Sequence, residues 1–119
     1  MGSALHIPFA SALKAGDTIS VAITYQTTEA CTALQWLDKE QTQGKKFPYL
    51  FSQCQPIYAR ALTPIQDSPS AKITYSASVK SVLPVLLSAI KKAPTSTHDG
   101  KVVGKDVVTY TFEQVRLKA

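Results

Sequence analysis

An alternation of large apolar residues with small or polar ones constrains the fold of this chain more than any other feature. It is clearest in residues 18–25, where Ile, Val, Ile and Tyr occupy every second position. Side chains two residues apart point to the same face of a β-strand, so this pattern predicts a half-buried strand. The same alternation predicts further strands at residues 5–9, 73–79 and 108–112.

Turn-forming segments separate these strands. Residues 14–17 (Lys-Ala-Gly-Asp) and 64–69 (Pro-Ile-Gln-Asp-Ser-Pro) predict turns, because Gly and Pro favour the backbone angles that turns require. Two longer stretches, residues 38–48 and 93–104, show neither strand nor helix periodicity. We therefore expect both of them to be loops.

Two apolar stretches add further strands to this list. Residues 57–62 predict a strand, and residues 85–90, which follow Pro84, predict a buried one. Short strands separated by turns, without a long helical pattern, predict an all-β fold, a mostly antiparallel β sandwich or saddle. The length of 119 residues and a hydrophobic content of 45% fit one domain with its own core, residues 1–119.

The basic charge of the chain does not indicate a nucleic-acid or membrane partner. The net charge of +5 comes from 13 Lys and Arg against 8 Asp and Glu. These basic residues are scattered, with Lys45-Lys46 and Lys91-Lys92 as the only adjacent pairs, whereas a polyanion-binding surface requires a run or stripe. The longest apolar stretch, residues 82–90, is far shorter than the roughly 20 residues that span a bilayer.

The cysteines and the amino-terminal region indicate a reducing compartment. Cys31 and Cys54 are the two cysteines, and the sequence contains no Asn and hence no N-glycosylation site. Residues 1–30 lack the charged start and apolar core of a secretory signal. We therefore expect a cytoplasmic protein with free thiols.

The ionisable residues form no recognisable catalytic or metal-binding motif. His6 and His98 are the two histidines, so neither a His-x-x-x-His pair nor HExxH occurs. Cys31 and Cys54 form no CxxC motif, which argues against a structural zinc site. From the residues alone we expect a non-catalytic β module.

A pair of amides stands out in residues 48–60. Gln53 and Gln55 are two residues apart, so in an extended chain they would project from one face and present donors and acceptors to one ligand, such as a peptide backbone or amino terminus. The alternative is that they bind neighbouring loop backbone. Arg60 and Asp67 flank a predicted turn that a charge pair would brace, and Trp36 is expected in the core.

Four ordered motifs resemble the leukotriene A4 hydrolase branch of the zinc aminopeptidases. They are ALQWL at residues 33–37, FSQCQP at 51–56, ARA at 59–61 and QDSPSAK at 66–72. The resemblance extends from about residue 2 to 114, and residues 113–119 look like an atypical end.

The resemblance implies the architecture of a parent enzyme. Members of the family combine an N-terminal β domain, a catalytic domain with an HExxH zinc site and a helical C-terminal domain. This chain would be the second half of the β domain, with its catalytic domain elsewhere in the same polypeptide. It would hold no zinc itself, although the parent would use zinc to hydrolyse peptides and possess epoxide hydrolase activity.

The resemblance also implies a role for three residues. In the family, the corresponding segment lines the substrate cleft at the domain boundary, which assigns substrate binding to Gln53, Cys54 and Gln55. Gln55 stands where most family aminopeptidases have the Glu that binds the substrate amine. The neutral amide matches the leukotriene-hydrolase branch, whose cleft also admits a lipid epoxide.

Two further expectations concern partners. The alternative function is a stand-alone β-sandwich module that binds a protein, with Gln53 and Gln55 merely structural. Self-association is expected if strands lack their neighbours, because bare strand edges recruit other strands. Residues 17–25 are the first candidate, and residues 71–79, which carry a protecting Lys72, are the second.

The lack of a ligand cluster generates a direct prediction. The purified chain should hydrolyse no aminoacyl substrate and bind no stoichiometric zinc. Metal analysis of the purified chain, together with a fluorogenic aminopeptidase assay, checks both statements. About one tightly held zinc ion per chain would contradict the prediction.

Overall fold

The computed structural model describes residues 4–115, and these residues form mostly antiparallel β-structure with little helix. The chain divides into two compact units, residues 1–68 and 69–119. The described part of the first contains a two-stranded sheet, and that of the second a three-stranded sheet. The fold class expected from the alternation is thus confirmed. No helix within residues 4–115 is long and apolar enough to cross a membrane.

The first unit is organised around a β-hairpin. Strand β1 (Leu34–Leu37) pairs antiparallel with β2 (Tyr49–Ser52), with Leu34 opposite Ser52 and Leu37 opposite Tyr49. The predicted loop between them contains one turn of 3-10 helix, Lys39–Gln41. The backbone N–H of Asp38 donates to Oε1 of Gln41 at 3.1 Å, which closes this turn at its start.

Two predicted strands at the start of the chain do not form. Residues 5–9 and 18–25 take no regular secondary structure. The turn between them is present, since the N–H of Asp17 donates to the Lys14 carbonyl at 3.0 Å and the Lys14 N–H to the Asp17 carboxylate at 2.8 Å. A strand requires a hydrogen-bonded neighbour, and no described backbone group bonds to residues 18–25.

The prediction of a strand at residues 57–62 is also wrong. The chain turns there and forms one short helix, α1 (Ala59–Leu62). The N–H of Tyr58 donates to the Cys54 carbonyl at 2.7 Å, and the N–H of Thr63 to the Ala59 carbonyl at 3.1 Å. Ala, Arg and Leu are good helix formers, so local propensity prevails over the short apolar run.

The second unit is a sheet with strand order β3-β5-β4. Strand β5 (Val108–Gln114) is central and pairs antiparallel with β3 (Tyr75–Ser81) on one side and β4 (Ile90–Ala93) on the other. The strand predicted at residues 108–112 lies within β5. Of the stretch 85–90 that was predicted to be a buried strand, only Ile90 belongs to one, and it is exposed.

The core of the second unit lies on one face of β5. Val108, Tyr110 and Phe112 are buried there at alternate positions. Ala77 from β3 packs against them, as do Val85 and Ala89. Of residues 85–89, only Val85 and Ala89 cover this core, and they do so as irregular chain; Leu86 is 87% exposed, so the prediction of a buried strand is wrong for most of the stretch.

His98 joins the loop before β5 to this core. It lies in the turn Thr97–Gly100, is 2% exposed, and has a left-handed, non-helical backbone with φ of 47°. Its Nε2 is 2.9 Å from the Asp106 carbonyl oxygen, and its Nδ1 is 2.6 Å from the Tyr110 hydroxyl. A carbonyl can only accept, so Nε2 carries the proton and donates, and in the neutral ring Nδ1 accepts from Tyr110.

Replacing Tyr110 with Phe should therefore destabilise the second unit. The substitution keeps the ring in the core but leaves Nδ1 of buried His98 without a partner, at a cost of about 1–3 kcal/mol. Denaturant-induced unfolding measures the change in free energy. Tyr75→Phe is the matched control, because its hydroxyl donates to the Ser88 carbonyl at 3.0 Å in an exposed position, and it should cost about 1 kcal/mol or less. Equal costs for the two variants would contradict the role of His98.

Candidate substrate-binding segment

The three residues predicted to bind substrate follow directly after the hairpin. Strand β2 ends at Ser52, and one further ladder bond joins the N–H of Gln53 to the Ala33 carbonyl at 2.9 Å. Ala33 is almost fully buried, with 1% of its surface exposed. The backbone of Gln53 is thus fixed to the hairpin, and the chain then leaves the sheet.

Gln55 lies in a turn and not in a strand. The peptide bond between Gln55 and Pro56 is cis, and the turn that follows closes through the Tyr58 N–H and the Cys54 carbonyl. Gln53 and Gln55 therefore do not lie on one face of an extended strand, since β2 ends before either residue. Their joint action on one ligand stays a prediction.

Both amides are nevertheless available to a ligand. The side chains of Gln53 and Gln55 are exposed and make no hydrogen bond to any described residue, while Cys54 between them is half-buried. The alternative in which neighbouring loop backbone satisfies these amides is thus not what the described residues show. Each amide presents one acceptor oxygen and two donor hydrogens to solvent.

The predicted charge pair is present next to this segment in the chain. Nε of Arg60 lies 3.1 Å from Oδ2 of Asp67, and the backbone N–H of Arg60 donates to the same oxygen at 3.3 Å. One carboxylate thereby holds both the side chain and the start of α1. The pair fastens the ends of residues 60–67, as the sequence indicated.

A separate open groove of about 930 Å³ lies in the first unit. Gln53, Cys54 and Gln55 do not line it. Its walls come from the amino-terminal residues, the segment that follows the first turn, and residues 60–67; the apolar side chains among them include Leu5, Ile7, Val21, Ile23, Leu62 and Ile65. The groove and the amide pair are thus two distinct features of this unit.

The remaining candidate residues have structural surroundings. Sγ of Cys31 donates to the Ala61 carbonyl at 3.1 Å, and both cysteines are free. No group of three His, Cys, Asp or Glu among residues 4–115 could hold a metal ion. Trp36, which was expected in the core, is 60% exposed, so that expectation is wrong.

These features define the chain as a β-rich domain with two exposed amides, Gln53 and Gln55, and a partly exposed ion pair between Arg60 and Asp67. Residues 1–118 match the protein family described as the peptidase M1 N-terminal domain. The chain belongs to this family. The resemblance carried by the four motifs is thereby confirmed.

Individual relatives agree with this assignment. The chain is 44% identical over 114 residues to leucine aminopeptidase 2 of Phaeosphaeria nodorum, covering 95% of this chain and 18% of that protein. It is 42% identical over 113 residues to a leukotriene A-4 hydrolase homolog of Botryotinia fuckeliana, with the same shares covered. The chain thus spans about a fifth of the length of the relatives it matches.

Solved structures agree as well. Native yeast LTA4 hydrolase is similar with a TM-score of 0.61 and 46% identity, over 75% of this chain and 12% of that one. Yeast LTA4 hydrolase in complex with bestatin is similar with a TM-score of 0.59 and 44% identity, over 75% of this chain and 12% of that one. The chain corresponds to the N-terminal domain of such a protein.

The Arg60–Asp67 contact gives a prediction about stability. Asp67→Asn should lower the free energy of unfolding by about 0.5–1 kcal/mol, because the neutral amide accepts more weakly from Arg60 and the pair is partly exposed. Added salt should reduce the difference from the unaltered chain. The control is Glu113→Gln, which breaks the exposed 3.3 Å pair with Lys92 and should change stability by less than about 0.5 kcal/mol. A larger loss in the control than in Asp67→Asn would contradict this ranking.

Proposed function

We propose that this chain is the part of a zinc aminopeptidase that helps to bind the amino terminus of a peptide substrate, through Gln53, Cys54 and Gln55. Family membership over nearly the whole chain supports the parent activity, and relatives named leucine aminopeptidase 2 support the peptide substrate. The observation that carries the site is the exposure of two amides without a described partner.

The chemistry of the site follows from the amide oxygens. A peptide amino terminus is a cation with several N–H donors, and Oε1 of Gln53 and of Gln55 can each accept one of them. Hydrogen bonds to a charged group contribute more than neutral ones. A neutral amide at Gln55 attracts an ammonium less strongly than a carboxylate would. The same neutrality suits a second substrate, a lipid epoxide, which bears no amino group.

Zinc belongs to the parent enzyme in this proposal. Bound zinc polarises the scissile carbonyl and activates water. The described residues of this chain do not fit such an ion, because they offer no cluster of three suitable ligands. The catalytic domain of the same polypeptide would therefore supply the metal site, and this domain would contribute only to binding and orientation.

The proposal extends to location and association. Two free cysteines and a sequence without Asn support a cytoplasmic protein. Apolar side chains exposed along residues 19–25 support self-association of the isolated chain.

A protein-interaction module is the second candidate function. Trp36 and Leu50 lie opposite each other in the hairpin, on one face, and are 60% and 40% exposed. Trp is enriched among the residues that contribute most to protein–protein binding energy. A Trp36→Ala variant that keeps full peptidase activity in the full-length protein but loses a bound protein would favour this candidate.

Substitution of Gln55 in the full-length protein tests the main proposal. Gln55→Ala should lower kcat/KM for peptides about ten- to a hundred-fold, because one hydrogen bond to a charged amine contributes roughly 1.5–3 kcal/mol. Compared with Gln55→Ala, Gln55→Glu should bind peptides with a free amine more tightly. It should not increase the turnover of an epoxide. Steady-state kinetics with a peptide that has a free amine, beside turnover of a lipid epoxide by the same variants, separate these effects.

The control is Gln43→Ala, an exposed Gln in the loop between β1 and β2. It should leave kcat/KM unchanged. Unaltered peptide turnover in Gln55→Ala would remove Gln55 from the site. A large loss of stability in that variant would instead assign the residue a structural role.

A further inference from the structure

Cys31 connects the two elements on either side of the amide segment, residues 53–55. Its Sγ donates to the Ala61 carbonyl oxygen in α1 at 3.1 Å. Its own carbonyl accepts from the N–H of Leu34, the first residue of β1, at 3.4 Å. One residue thus contacts both the start of the hairpin and the short helix.

The thiol supplies a donor that α1 cannot provide for the Ala61 carbonyl. The last carbonyls of a helix lack donors within it, and α1 ends at Leu62. The chain does not continue the helical turn, because Thr63 is extended with φ of −152° and ψ of 149°, and Pro64 has no N–H. Cys31 is half-buried and donates to this carbonyl instead.

Backbone hydrogen bonds hold the amide segment at both of its ends. At the first end, the N–H of Gln53 donates to the carbonyl of buried Ala33 at 2.9 Å. At the second end, the Cys54 carbonyl accepts from the N–H of Tyr58 at 2.7 Å. The first end is therefore attached to the hairpin, and the second to the residue that precedes α1.

The Cys31 thiol joins these two attachments into a closed ring of contacts. The N–H of Ala61 donates to the Tyr58 carbonyl at 2.9 Å, so the second end is linked to Ala61. The Ala61 carbonyl accepts from the thiol, and Cys31 lies two residues before Ala33 in the chain. Backbone groups make every other hydrogen bond of this ring. The bond from Sγ is therefore the one link that a change of side chain removes.

We propose that Cys31 is a positioning residue for the substrate amine, because its thiol holds α1 at the start of the hairpin and so fixes where Gln53 and Gln55 present their amides. This inference rests on the proposed function, in which both amides bind the amino terminus of a peptide. The strength of a hydrogen bond depends on its distance and angle, so a displaced segment binds the amine less well. Holding the segment before the substrate arrives also reduces the entropy lost on binding.

Cys31→Ala in the full-length protein tests this role. It should raise KM for a leucyl peptide with a free amine about three- to tenfold, the size of one lost neutral hydrogen bond, and leave kcat within about twofold. Cys31→Ser keeps a donor at this position and should restore KM to within about twofold of the unaltered protein. A purely structural role would reduce the folded fraction, which lowers the apparent kcat and leaves KM unchanged. Steady-state kinetics beside thermal unfolding of each variant distinguish the two roles.

The matched control is Tyr25→Phe, which also removes a single side-chain hydrogen bond next to α1. The Tyr25 hydroxyl donates to Oγ1 of Thr63 at 2.9 Å, and this bond is not part of the ring. KM should therefore stay unchanged. Cys31→Ala is also added to a variant that carries Gln53→Ala and Gln55→Ala. It should raise KM no further there, because the groups that it positions are gone.

Four results would contradict the inference. An unchanged KM in Cys31→Ala, beside a raised KM in Gln55→Ala, would refute the role of Cys31 and leave the proposed function standing. An equal rise in Tyr25→Phe would show that the effect is not specific to the ring. A full further rise in the triple variant would show that Cys31 does not act through the amides. Unaltered peptide turnover in Gln55→Ala would refute the proposed function and this inference with it.

Discussion

The pairing of β5 with a strand on each side is the interaction on which the second unit depends. Because β5 is the central strand, its backbone groups form hydrogen bonds on both edges. Its alternate residues Val108, Tyr110 and Phe112 form the buried face. The Tyr110 hydroxyl then joins His98 to the sheet, so the loop before β5 is fixed by the same strand. A buried polar pair of this kind is stable only when each atom has a partner, which His98 achieves with one donor and one acceptor bond.

The alternation predicted a strand correctly only where another strand of the described chain pairs with it. The alternation at residues 108–112 predicted β5 correctly, because β3 and β4 are present to pair with it. The equally clear alternation at residues 18–25 predicted a strand that does not form. Period-two alternation indicates which face a strand would bury, but the hydrogen bonds that make a strand come from another segment. In α1, by contrast, local bonds suffice, and helix propensity outweighed the apolar run.

The candidate site was found through family motifs and not through chemistry. Composition and spacing gave no catalytic cluster, and the two amides alone left a structural role open. The motif around Gln53 and Gln55 gave the assignment, and the structure adds that both side chains are exposed and unbonded among the described residues. The turn that begins at Gln55 could not be predicted from alternation, because it depends on backbone bonds from Tyr58 to Cys54. Arg60 and Asp67 were predictable, because opposite charges flanked a turn.

The position of the amides at the end of a hairpin has a consequence for binding. A two-stranded ribbon is only marginally stable by itself, since half of its backbone groups face solvent at the edges. Gln53 is fixed to the ladder by a single bond beyond β2, and Gln55 lies outside the ladder altogether. Binding of a ligand must therefore order these two residues. The loss of their conformational entropy lowers the affinity unless neighbouring elements already hold them in place. The exposed face of Trp36 and Leu50 shows that the hairpin has surface for such elements to cover. Under the proposed function, precise binding of a substrate by this segment would depend on contacts that fix the hairpin from outside, such as those of a catalytic domain in the same polypeptide.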